Sequence, residues 1–404
     1  MGRERTVAEG QVADLLRTAR EALGLSLAFM TRMEGDTQHL EVVESAIPLV
    51  FRDGMTQRRD TSFCQAILDG RLPAVMPNVR DFPEAMKLPA ARVGRIRSYV
   101  SVPVVLSDGT VYGTFCAAGF TADKQMSKRD KALMEVLSHA ASLIIEPDVR
   151  ERNRQAEIAG RIGPLLEAGG PLVLLQPIVE LGTRRRVGAE ALSRFPREWG
   201  LPPDRCFADA HAIGEGHRLE ILALRRAADR LAEVDGYVAM NVSPATLLTP
   251  ECTGLLERLP LDRIVLELSE HDPVDDYDAI AAVLTPLRAV GMRLAIDDVG
   301  AGFSSLRHIV VTAPDVIKLD RSIVTGISDD PVLGVVTRSL VDLAQAIGAK
   351  VVAEGVETAA DAEALGAVGV HLGQGWHFGA ATTPADLRAE YPRQVPVGAA
   401  GPAR

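Results

Sequence analysis

RIVLELSE (263–270), RLAIDDVG (293–300), DVIKLD (315–320) and KVVAEGVE (350–357) follow one plan: a short apolar run that stops at a charged side chain. The stops are Glu267, the pair Asp297-Asp298, Lys318 and Glu354. The plan recurs in LVLLQPIVEL (172–181), VGAEAL (187–192), YVAMNVS (237–243) and VHLGQG (370–375), at Gln176, Glu190, Asn241 and Gln374. A parallel strand buried on both faces reads as a continuous apolar stretch rather than as alternation. Eight such runs with helical patterns between most of them predict an α/β architecture, a (β/α)8 TIM-like barrel. In that fold the C-terminal strand ends converge on one face, where active sites form. Carboxylates gathered there with amides and a lysine suit hard, oxygen-loving divalent cations.

Composition narrows the field. The chain has 404 residues, room for two domains. A hydrophobic content of 47% and a charged content of 24% describe an ordinary globular protein. The net charge of −10 argues against binding a nucleic-acid polymer, which calls for a basic surface. A small anionic ligand stays compatible, because bound cations invert the local field. The cysteines Cys64, Cys116, Cys206 and Cys252 are scattered without metal-ligand spacing, which suits a reducing compartment. No apolar stretch reaches the roughly 18–20 residues a bilayer span needs, and the charged start MGRERTVAEG lacks a signal-peptide core. The expected location is cytoplasmic, with no membrane span.

Ahead of the barrel, VAEGQVADLLRTAREAL (7–23) has helical periodicity. Strand-like runs follow at 25–33, 39–46, 72–79, 99–106 and 111–120, the last two joined by a Ser-Asp-Gly-Thr turn. A helix is expected at about 127–146, an interruption at Pro147, and a second helix at about 149–167. The predicted organisation is an α+β domain with an antiparallel sheet (1–146), a helical linker (147–168), the barrel (169–390) and a disordered tail (391–404).

The barrel half resembles the EAL-domain family of cyclic di-GMP phosphodiesterases. The resemblance is carried in order by LQPIV (175–179), Glu190-Ala191-Leu192, NVSP (241–244), ELSE (267–270), DDVGAGFSSL (297–306), DVIKLDRS (315–322), VVAEGVET (351–358) and QGWHFG (374–379). It implies metal-dependent hydrolysis of cyclic di-GMP to linear pGpG with two Mg2+ or Mn2+ ions. By resemblance, Glu190, Asn241, Glu267 and Asp297 hold one ion, Asp297 bridges, and Asp298 and Glu354 serve the second. Lys318 looks like the catalytic lysine, as base or as electrostatic stabiliser; a pKa lowered by the neighbouring cations would suit the first role. Arg194 matches a phosphate contact. Gln176 and Gln374 match polar positions near the substrate or the metals, and Asp320 a contact to a guanine edge. Glu270 resembles the glutamate that anchors the loop after Asp298, and Glu357 a support behind the ligands. His211, His217, His371 and His377 lack ligand spacing and read as structural or surface residues. The alternative function is a catalytically silent cyclic di-GMP receptor or interaction module. Its members typically lose a ligand, the lysine or the loop glutamate, and this chain has them all.

Residues 10–146 resemble a GAF domain, carried by LGLSLAFMTRM (23–33), SFCQAILDGRLPAVMPNV (62–79) and YVSVPVVLSDGTVYGTFCAAGF (99–120). This implies an unidentified small-molecule or protein input near Phe63, Cys64, Tyr99 and Phe115, and regulation of the barrel. Cys64 reads as a buried structural thiol, with thiol sensing or chromophore attachment as alternatives. The resemblance also implies a homodimer, through the barrel face near 299–306 and the GAF helices.

Overall fold

The computed structural model describes residues 5–46, 51–269, 274, 276–300 and 305–392. The chain divides into two compact units, Met1–Arg154 and Gln155–Arg404. Among the described residues no helix is long and apolar enough to cross a membrane.

The first unit is built on six antiparallel strands: β1 (Leu27–Glu34), β2 (Thr37–Ser45), β3 (Thr56–Arg58), β4 (Val75–Met76), β5 (Ser98–Val105) and β6 (Val111–Gly119). Their order across the sheet is β3-β2-β1-β6-β5-β4. β6 shows why its sequence is apolar throughout although its neighbours are antiparallel. Phe115 and Ala117 pack on one face, in a core with Val12 and Leu16 of helix Val7–Ala22 and Met134 and Ile145 of helix Lys128–Glu167. Cys116 and Ala118 pack on the other, with Phe63, Met76, Val79 and Tyr99. A sheet covered on both faces has no polar side to show in its sequence. Thr6 and Glu9 close a reciprocal capping box that fixes the start of helix Val7–Ala22.

Three details depart from expectation. The 72–79 run shrinks to the two residues of β4. β3 carries only exposed polar residues, so it gave no apolar signal. The break expected at Pro147 is absent: Lys128–Glu167 is one helix of 40 residues. Proline there removes one backbone donor, and the carbonyl left without it belongs to Leu143. Leu143 is exposed, so water can take that hydrogen bond.

The second unit is a closed barrel of β7 (Leu172–Glu180), β8 (Arg186–Arg194), β9 (Tyr237–Asn241), β10 (Ile264–Ser269), β11 (Arg293–Val299), β12 (Val316–Leu319), β13 (Lys350–Ala353) and β14 (Leu372–Gly373). It is not the all-parallel barrel expected. β7 runs antiparallel to both its neighbours, β8 and β14. Only residues 181–185 join β7 to β8, and a link that short can only make a hairpin. Alternate residues sort to the two sides of the wall. Leu266, Leu294, Ile296 and Ile317 pack outward with Ile280, Leu284 and Val341 of the surrounding helices. Ile178, Tyr237, Ala239, Val265, Ala295, Val316, Val352 and Leu372 form a separate plug inside. Of the expected tail, Tyr391 is held by its hydroxyl, which donates to Phe378 O at 2.5 Å, and residues 393–404 lie outside the described residues.

Candidate active site

The inner plug positions the polar residues. Two positions after Val265, Ala295, Val316, Val352 and Leu372, on the same side of each strand or its extension, come Glu267, Asp297, Lys318, Glu354 and Gln374. Asn241 likewise comes two positions after Ala239 of the plug, and its side chain reaches Glu190 on β8. Strand period alone therefore puts a carboxylate ring on an apolar floor.

Asp298 should by that period point away. It does not, because the chain bulges there. Ile296 pairs with Ile317 and Val299 with Leu319, so β11 spends one more residue than β12 over this step. Asp298 absorbs the extra residue in a left-handed conformation, φ 59°, which aspartate tolerates better than most side chains. Asp297 and Asp298 thereby both line the cleft. Ser269 Oγ donates to Asp298 Oδ2 at 3.4 Å, and the Asp298 amide donates to Asp297 Oδ1 at 2.9 Å.

Lys318 stands at the centre of the ring and is almost completely buried. Its Nζ lies 2.6 Å from Glu354 Oε1, 3.0 Å from Glu267 Oε2, 3.0 Å from Asp297 Oδ2 and 3.5 Å from Glu190 Oε2. Burial works against the ammonium form, but Asp297, Glu190, Glu267 and Glu354 together raise its pKa well above the usual lysine value. The lowering expected beside cations is thus the reverse of what the carboxylates alone produce. Burial pushes Glu267 and Glu354 well above the usual carboxylate range, and the neighbouring carboxylates add to it. Glu190 goes the other way: burial is overcome by Lys318 and by hydrogen bonds from Gln374 and Asn241. Gln374 Nε2 donates to Glu190 Oε2 at 2.6 Å and to Gln176 Oε1 at 3.0 Å, and Asn241 Nδ2 donates to Glu190 Oε1 at 3.0 Å.

The donor set fits divalent cations. Four carboxylates share one ammonium, which leaves a buried excess of negative charge. Gln374 Oε1 is buried with no hydrogen-bond partner, an oxygen of the kind hard cations take. Ligand oxygens of Glu190, Glu267 and Asp297 lie within 4.8 Å of one another, as do those of Asp297, Asp298 and Glu354. Asp297 belongs to both groups.

The cleft above holds about 380 Å³ and is lined by Gln176, Glu190, Asp297, Asp298, Glu354, Glu357 and Gln374, all expected from sequence. Arg321, Gly355 and Trp376 line it too and had been passed over, although they sit inside the quoted DVIKLDRS, VVAEGVET and QGWHFG blocks. Trp376 is 75% exposed there. Gly375 beside it has φ 151°, and a Cβ would come within 2.2 Å of Val356 O, so only glycine lets the chain turn that tightly. Arg194 lines an adjoining cleft of about 300 Å³ with Asn241, and its Nη1 donates to Ser193 O. Asp320 caps helix Arg321–Val324, accepting from the Ser322 amide at 2.8 Å. Glu270 lies outside the described residues, as do 301–304 of the loop it was expected to anchor. His211 and His217 are structural as read: His211 Nε2 meets Glu220 Oε1 at 2.6 Å, and Glu220 accepts from Ser243 just after Asn241. His217 Nδ1 meets Thr246 Oγ1 at 2.8 Å.

A closed barrel with a carboxylate cradle at its C-terminal strand ends, shared through one aspartate, defines a class of metal-dependent barrel proteins. This chain belongs to the EAL-domain family: the EAL domain model matches residues 161–381, and the GAF domain model matches residues 11–146. The uncharacterized protein Rv1357c of Mycobacterium tuberculosis (strain ATCC 25618 / H37Rv) is 32% identical over 244 residues, 56% of this chain and 79% of that protein. The cyclic di-GMP phosphodiesterase PdeL of Escherichia coli (strain K12) is 31% identical over 218 residues, 50% of this chain and 60% of that one. Among solved structures, PaMucR phosphodiesterase in complex with c-di-GMP is 26% identical with a TM-score of 0.51, covering 57% of this chain and 99% of that one. The chain spans 60% or less of PdeL and of the probable cyclic di-GMP phosphodiesterase PdeB of the same organism.

Proposed function

We propose that this chain is a metal-dependent phosphodiesterase that opens cyclic di-GMP to linear pGpG. The observation that carries it is Asp297, shared between two carboxylate groups that close around Lys318. When bound, two Mg2+ or Mn2+ ions would supply Lewis acidity for both an attacking water and the phosphate. Glu190, Asn241, Glu267 and Asp297 would hold one of them, and Asp297, Asp298 and Glu354 the other.

The remaining work falls to the chain itself. Gln374 and Asn241 fix both oxygens of Glu190, so that carboxylate is held in orientation for an ion. Lys318 keeps an ammonium at the cleft floor, where it can donate to a phosphoryl oxygen as negative charge builds on it. The Arg321 guanidinium suits a phosphate, and the exposed Trp376 ring suits the flat face of a guanine. Gln176 and Gln374 are assigned to the substrate with them, and Glu357 to support of the ligands. We keep Arg194 and Asp320 as candidate contacts to phosphate and guanine, and Glu270 as the loop anchor. The reading includes a sensor module (1–146), a linker (147–168), a barrel (169–390), a homodimer and a cytoplasmic location.

The test is hydrolysis of cyclic di-GMP by the full chain with Mg2+ or Mn2+, followed as pGpG, beside Glu190→Gln and Lys318→Met. Metal-dependent pGpG that both substitutions abolish supports the reading. Tight binding without turnover, for the full chain and for every metal tried, replaces it with a receptor.

A further inference from the structure

A second cluster of reactive groups lies in the first unit, far in sequence from the barrel ligands. Cys64, on helix Phe63–Leu68, and Cys116, on β6, bring their Sγ atoms to 3.6 Å. Both thiols are buried. Around them the core, otherwise apolar, is polar. Tyr99 OH lies 3.1 Å from Cys64 Sγ, and Ser101 Oγ lies 3.3 Å from Cys116 Sγ. Cys116 Sγ donates to Thr114 Oγ1 at 3.2 Å, and Thr114 Oγ1 pairs with Thr31 Oγ1 at 2.8 Å. Gln38 is fully buried; its Oε1 accepts from Gln57, while its Nε2 has no hydrogen-bond partner.

Two structural thiols would need no such company, since a buried cysteine packs as a small apolar group. Hydroxyls on both sulfurs, Tyr99 at Cys64 and Ser101 at Cys116, can steady a thiolate within the pair. Burial alone would push the Cys64 thiol up, but its contacts with Cys116 Sγ at 3.6 Å and with the Tyr99 hydroxyl at 3.1 Å bring it down. Burial and the neighbouring Cys64 hold the Cys116 thiol up. With the two sulfurs in contact, a thiolate on Cys64 would face a protonated Cys116, the direction in which both thiols are shifted. A disulfide needs the sulfurs at about 2.05 Å. The two sulfurs, now 3.6 Å apart, would have to close by about 1.5 Å.

We propose that Cys64 and Cys116 form a redox site in the sensor unit, oxidised to a disulfide by a small hydroperoxide. The Cys64 thiolate attacks the peroxide; an S–O bond forms, the O–O bond breaks, and the leaving hydroxide takes up a proton to become water. The Cys116 sulfur then attacks the sulfenic sulfur; the S–S bond forms, the S–O bond breaks, and the hydroxide leaves as water with the Cys116 proton. Two thiols lose two electrons and two protons, and hydrogen peroxide becomes two waters. Burial selects the oxidant by size: hydrogen peroxide is scarcely larger than water, whereas cumene hydroperoxide and glutathione disulfide are bulky. The site stands independently of what the barrel hydrolyses.

The test uses the reduced full chain, treated with hydrogen peroxide, unfolded in N-ethylmaleimide and mapped by mass spectrometry. The expected result is a peptide pair linked through Cys64 and Cys116, cleaved by dithiothreitol, with Cys206 and Cys252 alkylated as before. In Cys116→Ser the expected product is a Cys64 sulfenic acid trapped by dimedone present as the chain is unfolded. Linkage with hydrogen peroxide should outpace that with cumene hydroperoxide by at least ten-fold. Alkylation of all four cysteines after treatment, or over-oxidation of Cys64 without a link, overturns the proposal. The unmodified chain alone decides this, so a substitution that fails to fold does not obscure it.

Discussion

Lys318→Met keeps most of the lysine's aliphatic stem and deletes its charge. The ammonium lies within 3.5 Å of four carboxylates, and no other cation is paired with any of them among the described residues. Removing one partner of a buried ion pair costs about 3–5 kcal/mol. The upper end is not exceeded here, because burial already raises the pKa of Glu267 and Glu354, so they can take up protons once the ammonium is gone. At roughly 2–4 °C per kcal/mol for a unit of this size, the barrel's transition should fall by about 6–20 °C in EDTA. Saturating Mg2+ or Mn2+ would take over the lost charge and shrink the deficit to the packing cost of the swap, about 1 kcal/mol. The cation should thus stabilise Lys318→Met more than it stabilises the unchanged chain, even though turnover is lost. Thermal denaturation of both proteins, with EDTA and with each metal, measures the difference. An equal deficit in both conditions would refute the reasoning: the lysine would then be a packing residue, and the carboxylates would not form a cation site.

Asp297→Asn should abolish turnover at any metal concentration, because Asp297 belongs to both ligand groups, whereas Asp298→Asn should leave one group intact. Metal titrations by calorimetry should show weakened binding at every site in the first variant and at one site in the second. Trp376→Ala should raise KM with little change in kcat if the exposed ring stacks on a base. Stacking contributes about 1–3 kcal/mol, so the rise should be between about 5-fold and 150-fold in steady-state kinetics. Asp361 is the acid-sensitive clasp of the barrel: its carboxylate accepts from the Ser328 amide and from Thr358 Oγ1. Burial raises its pKa, but these bonds bring it below the ordinary value. A carboxylate depressed in the folded state adds stability above its unfolded pKa of about 3.9 and loses it as pH falls through the folded value. Asp361→Asn should therefore flatten the fall in denaturant midpoint below about pH 4.

Much of the barrel was legible because its strands are buried on both faces. Eight continuous apolar runs, each stopped by a polar group, fit a ring of strands around a common axis, and the barrel does close. Apolarity says nothing of direction, so the reversal of β7 was missed, and its signal was the brevity of the link at 181–185. Pro147 misled for a related reason. Proline weighs against a helix only by what its lost donor costs, and an exposed carbonyl makes that cost small. Arg321 and Trp376 carried no periodic signal at all. They lie just past strand ends, where only the closed cleft gives a side chain meaning.

The Asp297-Asp298 pair marks where sequence pattern and site chemistry conflict. Strand period assigns neighbouring residues to opposite faces, yet a two-ion cradle needs both carboxylates in one cleft. A regular β11 would have turned Asp298 toward the helices, burying a charge among Leu294, Ile296 and their partners. The one-residue bulge against β12 resolves the conflict at the expense of ladder pairing and a left-handed Asp298. Strain of this kind persists only where the surroundings over-determine it. Here the Ser269 hydroxyl holds Asp298 Oδ2, and Asp297 Oδ1 holds the Asp298 amide. The doubled aspartate is therefore informative beyond its charge: at the end of a buried strand, two consecutive ligands imply a bulge between them.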